Sequence, residues 1–147
     1  MSKKSIYSKK NLGSLAKIIN NNKHVDFKTI DLQDENILNL LNMEKSTKIT
    51  GELFKLLRAY QRILRIMPNE HNDWIMNLLY ADISSATQIA SMPRTEFIRI
   101  CNEECGLSEE LAKSIYKNAQ AKKSELIVQY MKILQNNEPH IREAKFK

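Results

Sequence analysis

Turn-forming residues are scarce in this chain. Only 3 glycines and 3 prolines occur among 147 residues, and β-sheet architectures need such residues at frequent tight turns. Cysteine is nearly missing too: Cys101 and Cys105 are the only 2, which excludes a disulfide framework. No apolar run approaches the ~20 residues that span a bilayer. The opening "MSKKSIYSKKNLGS" is basic but has no apolar signal-peptide core, so a cytoplasmic site of synthesis is expected. A Gly-rich phosphate loop, a GxSxG elbow and an HExxH pair are all missing. Neither an enzyme nor a bound cofactor is expected on those grounds.

What remains is helix-forming. Leu, Ile, Ala, Lys, Glu and Gln are abundant, with Asn available for ends and loops. A chain of this length buries roughly 70% of its unfolded surface, enough for a real core. The net charge of +6 is uneven. Residues 1–67 hold 13 Lys/Arg against 6 Asp/Glu, and residues 68–147 hold 10 against 11. The basic character therefore belongs to the first half, where it can attract nucleic acid, anionic lipid or an acidic protein.

The spacing predicts an all-α fold: a compact bundle of six or seven helices, with a helical hairpin around Gly106 and a long C-terminal helix. Residues 1–11 read as a flexible basic tail, 12–137 as one helical domain and 138–147 as a polar tail. A short helix carries Leu12, Leu15, Ile18 and Ile19. "KHVDFKTIDLQ" reads as an extended segment laying Val25, Phe27, Ile30 and Leu32 on the helices. Asp34 can cap "ENILNLLNMEK", with Ile37, Leu38, Leu40 and Leu41 inward. "GELFKLLRAYQRILRIM" is the strongest helix of the first half, with Leu53, Leu56, Leu57, Tyr60, Ile63, Leu64 and Met67 in one stripe. Pro68 stops it. Trp74, Ile75, Leu78 and Leu79 mark the next helix. Ser84 or Ser85 caps a short one, and Pro93 suits the first turn of "RTEFIRICNEEC". Gly106 ends that helix, and Ser108 caps the last, running to about Asn136. Its inward residues are expected to be Leu111, Ile115, Ala119, Leu126, Ile127, Tyr130, Ile133 and Leu134.

Three constellations bear on function. Cys101 and Cys105 lie one helical turn apart, as metal ligands would, but His24, His71 and His140 are scattered. Small buried apolar residues are the simpler reading, so no metal site is expected. Glu70, His71 and Asp73 form the one local acid–histidine cluster, and a helix start explains its carboxylates. Lys55, Arg58, Arg62 and Arg65 recur at spacings of 3, 4 and 3, opposite the apolar stripe. They could lie along phosphates or an acidic groove, or they could form a solvated face built from good helix formers.

"GLSEELAKSI" is similar to the second half of a helix-hairpin-helix DNA-binding motif, in which a glycine hairpin aims N–H groups at a phosphate. Ser108 stands where a second glycine is usual, and Glu103, Glu104, Glu109 and Glu110 surround the hairpin. Four carboxylates repel a phosphate at close range, so this stretch reads as packing.

The longer segment "LLYADISSATQIASMPRTEFIRICNEECGLSEELAKSIYKNAQAKKSELIVQYMKIL" resembles the helical repeat near the N-terminus of the A component of insecticidal toxin complexes (Tc toxins) and of related bacterial proteins. "FKTIDLQ" and "LLRAYQRILRIMP" are similar to the segment that often precedes it there. The likeness runs from about Phe27 to Leu134 and rests on apolar and capping residues, so it concerns packing more than chemistry. It implies a helical scaffold piece of a large toxin-delivering assembly. This chain has no room for the receptor-binding domains, channel or linker of that family, so a delivery function is inherited only by analogy.

The expectation is therefore a non-enzymatic interaction or scaffold module that docks on a larger protein through Lys55, Arg58, Arg62 and Arg65. Its alternatives are a small nucleic-acid-binding protein using the same stripe, and a helical antitoxin or immunity-type protein.

Overall fold

Ser8 opens the first helix. Its hydroxyl accepts the Asn11 N–H at 3.1 Å, satisfying an amide that has no partner within the helix. Helix α1 then runs Lys9–Asn21, so residues 9–11 are helical rather than part of a basic tail. A computed structural model describes residues 7–34, 36, 41, 51–68 and 72–137. The fold is all-α. Among the described residues there are six helices and no strand: α1, α2 (Gly51–Ile66), α3 (Asn72–Tyr80), α4 (Ala86–Ser91), α5 (Arg94–Glu103) and α6 (Glu109–Asn137). The helix expected over residues 35–45 lies outside the described residues, apart from the Asn36 N–H donated to Asp34 at 2.9 Å and a buried Leu41.

The stretch after α1 is not extended. It is a chain of turns from Asn22 to Asp34. Asp26 accepts the Lys28 N–H at 3.1 Å and Asp31 accepts the Gln33 N–H at 2.9 Å, each aspartate mimicking a backbone turn. These carboxylates do locally what glycine and proline would do elsewhere. The apolar residues still point inward: Phe27 and Leu32 are buried, with Val25 and Ile30 packed against the core. Gln61 of α2 pins the segment, donating from Nε2 to Phe27 O at 2.9 Å and Ile30 O at 2.8 Å.

Helix α2 is the central element. It packs on α1, α3, α4 and α6, and Leu53, Leu56, Leu57, Tyr60, Ile63 and Leu64 are all buried. Each such side chain contributes about 1.5–3 kcal/mol by leaving water. Phe27 meets Tyr60 edge-on, with ring centroids 6.1 Å apart. The end of α2 is closed from outside by Asn118 of α6, which donates to Ile66 O at 2.8 Å.

Ser85, not Ser84, caps α4, accepting the Gln88 N–H at 3.2 Å. Gln88 in turn braces the preceding loop, donating to Asp82 O at 2.8 Å and accepting from Ser84 N at 2.9 Å. That brace holds Asp82 at a φ of 64°, a left-handed conformation that aspartate tolerates better than most residues. Gly106 ends the α5 turn at a φ of 69°. Ser108 caps α6 through the Leu111 N–H at 3.2 Å.

Helix α6 is 29 residues long, roughly 43 Å at the α-helical rise. Its first half packs against α4 and α5, with α2 beneath. Ala112, Ile115 and Ala119 are each 0% exposed. Tyr116 tilts over Phe97 at 5.9 Å and donates its hydroxyl to Met92 O at 2.9 Å. The second half does not pack. Leu126, Ile127, Tyr130, Ile133 and Leu134, expected to face inward, are 40% to 62% exposed. The described residues offer nothing there to bury them.

Candidate functional site

Periodicity puts the four cations of α2 on one exposed face. Leu53, Leu57, Tyr60 and Leu64 turn inward, so Lys55, Arg58, Arg62 and Arg65 turn outward. The four do not behave alike. Arg62 donates from Nε to Ser84 O at 3.2 Å, and Arg65 donates from Nε to Lys28 O at 3.0 Å. Each of these two arginines clamps a different loop to α2 and is itself an exposed residue. The side chains of Lys55 and Arg58 make no hydrogen bond or ion pair among the described residues. Partial burial, and then the charge of Arg58, hold Arg62 below the ordinary guanidinium range, with Tyr7 acting weakly the other way. Arg58 and Arg62 are thus like charges one turn apart, and an anion laid across them would relieve the repulsion.

The Gly106 hairpin is acidic but partly neutralised. Arg99 is clasped by Glu96 and Glu103, and Lys113 pairs with Glu109 at 3.2 Å. The hydrogen bond from Arg99 holds the Glu96 carboxyl below its usual range. The two thiols are interior groups. Cys101 is 0% and Cys105 4% exposed. Burial first, then the neighbouring Cys105, pushes Cys101 up to about 12, while burial and Glu104 push Cys105 up to about 11. A thiol that stays protonated near neutrality is a poor nucleophile and a poor metal ligand. Among the described residues no group of three His, Cys, Asp or Glu side chains converges as metal ligands would.

Of the acid–histidine cluster, Glu70 and His71 lie outside the described residues, and Asp73 stands in the first turn of α3, where the helix dipole favours it. His24 borders a cleft of about 390 Å³ with Asn22, Asp26, Phe27 and Tyr60. Its neighbours are committed to the backbone: Asn22 donates to Ile18 O at 2.8 Å and Asp26 accepts from Lys28 N at 3.1 Å.

The residues that hold the loops escaped the sequence reading. Gln61 follows Leu57 by four and precedes Leu64 by three, so it stands on the apolar stripe, where a buried amide needs partners. Asn118 and Asn77, which donates to Cys105 O at 3.0 Å, give no such signal. The exposed half of α6 did give one. Seven of the nine residues in "LIVQYMKIL" are apolar, more than one core-facing stripe requires. Comparison with family models, curated proteins and solved structures finds no match to this chain.

Proposed function

We propose that the chain is a non-enzymatic helical interaction module that docks on an acidic surface of a larger protein. The observation that carries this is the α2 face: four exposed cations with no carboxylate paired to them among the described residues. Elsewhere on the surface Arg99 and Lys113 are paired. Two of the four cations, Arg62 and Arg65, are also held in place by backbone carbonyls, which lowers the entropy lost on binding. The resemblance of the segment from Leu78 to Leu134 to the Tc-toxin repeat supports a partner within a large assembly. An antitoxin or immunity-type role would use the same docking chemistry on a different partner.

The competing reading is nucleic-acid binding by the same stripe. Binding of the full chain to polyglutamate and to a DNA duplex, each from low to high salt, separates the two. The proposal expects polyglutamate binding that is lost in the Lys55→Glu, Arg58→Glu double variant. Those two positions are chosen because they clamp no loop. Tighter binding to the duplex, falling steeply with salt and lost in the same variant, would favour phosphate contacts. No polyglutamate binding at low salt would remove the proposal.

A further inference from the structure

The exposed half of α6 carries a second surface, independent of the basic stripe. From Leu126 to Leu134 every apolar side chain is 40% to 62% exposed. The five on one side of the helix, Leu126, Ile127, Tyr130, Ile133 and Leu134, together leave on the order of 500 Å² uncovered, at the upper end of what a monomer surface carries in one patch. The face is continuous with the core. At about 100° per residue, Tyr130 shares its direction with Ala112, while Leu126 and Ile133 continue the line of Ala119 and Ile115.

Its residues are symmetric. Leu126 and Leu134 lie four before and four after Tyr130, and Ile127 and Ile133 lie three before and three after. On the helix surface the leucines stand about 40° to either side of Tyr130 and the isoleucines about 60°. A face with this mirror order matches itself when a second helix is laid across it in the opposite direction. The two-fold keeps each side chain on its own side of Tyr130, so Leu126 meets Ile133, Ile127 meets Leu134, and tyrosine meets tyrosine at the centre.

We propose that a second copy of this chain docks on the distal half of α6, antiparallel, with the two-fold axis at Tyr130. The contact is isologous, as closed dimers require. Two such faces together approach the ~1,200 Å² at which specific interfaces begin. Charge selects the direction. Lys123 lies on the same face as Tyr130, so parallel pairing would set two lysines against each other, whereas antiparallel pairing moves them to opposite ends of the contact. A lipid surface is the weaker occupant. The face away from Tyr130 carries Glu125, Gln129, Lys132 and Gln135, not the run of cations that interfacial helices present.

Sedimentation equilibrium of the full chain tests the pairing. A dimer mass is expected at high concentration, dissociating on dilution. Tyr130→Glu should raise the dissociation constant about 100-fold or more, because each copy would bury a carboxylate. Val128→Glu, on the opposite side of the helix, should leave it unchanged. Since Tyr130 is 62% exposed, both variants should keep the helical circular dichroism of the parent. Disulfide trapping with oxidised glutathione tests the direction, because Cα atoms must come within about 7 Å. Tyr130→Cys should cross-link to itself, and Leu126→Cys should cross-link to Ile133→Cys but not to itself. Self-linking at Leu126 would mean parallel pairing and overturn the proposal. So would a monomer at every concentration, or a monomer that binds lipid vesicles through Tyr130.

Discussion

Leu126 stands seven residues beyond Ala119 on the same face of α6, yet Ala119 is 0% exposed and Leu126 41%. One helix is thus core along its first half and surface along its second, although the apolar stripe through Ala119 continues along it. Substitutions of similar chemistry should therefore have unequal effects. Phe97→Ala, at a ring that is 0% exposed, should cost about 3–5 kcal/mol. Ile133→Ala, measured by urea unfolding of dilute protein, should stay within about 0.5 kcal/mol of the parent. Equal losses would place Ile133 in the core.

Gln61 holds the turn segment by two backbone carbonyls, Phe27 O and Ile30 O. Gln61→Leu keeps the bulk and removes both donors. Leaving these carbonyls unpaired should cost about 1–3 kcal/mol in chemical denaturation. Amide exchange should quicken from Val25 to Asp34 while the proximal half of α6 keeps its protection. Uniform loss of protection would mean that the bond supports the whole core rather than this segment.

Two glycines should respond with opposite signs. Gly13 lies exposed inside α1 with open space around a would-be Cβ, so Gly13→Ala should stabilise by about 0.5–1 kcal/mol. Gly106 has equal space but a φ of +69°, so Gly106→Ala should destabilise by about 1–2 kcal/mol through backbone strain alone. Thermal midpoints of the two variants decide this. A rise for Gly106→Ala would contradict the left-handed turn.

The buried thiols make stability depend on alkaline pH. In the folded chain Cys101 and Cys105 ionise near 12 and 11, against 9.0 for an exposed thiol. Above pH 9 the unfolded chain has released protons that the folded chain still holds. The unfolded state then binds fewer protons, so stability falls as pH rises from about 9 to 12 and is unaffected by these groups below 9. Replacing both cysteines with alanine should flatten that fall relative to the parent in denaturation curves taken at pH 8 and pH 10.5. An unchanged slope would mean that the thiols are accessible to solvent.

The helical class was legible because periodicity and scarce turn residues point the same way. The α2 stripe from Leu53 to Met67 and the caps at Ser85 and Ser108 followed from side-chain chemistry acting within a few residues. The turn segment was misjudged because period-two alternation at Val25, Phe27, Ile30 and Leu32 imitates extended chain. Asp26 and Asp31 bend it by local hydrogen bonds that leave the inward residues in place. Among the four cations, sequence located the face but not the division of labour, since Ser84 and Lys28 reach Arg62 and Arg65 only through the tertiary fold. The largest miss, the outward distal half of α6, has a simple cause. Periodicity shows that a face is apolar, and where the neighbouring helices end decides whether it is covered.

Amide hydrogen exchange along α6, measured at a low and a high protein concentration, tests that division most directly. A 29-residue helix packed over only its first half should protect residues 112–119 at both concentrations. Residues 124–137, beyond the bundle, should exchange fast when dilute, because a helical stretch of that length is marginal without packing, and should gain protection when concentrated. Strong protection of residues 124–137 at the lowest concentration would put them in the core of a single chain. Fast exchange at both concentrations would leave the exposed face without a second copy.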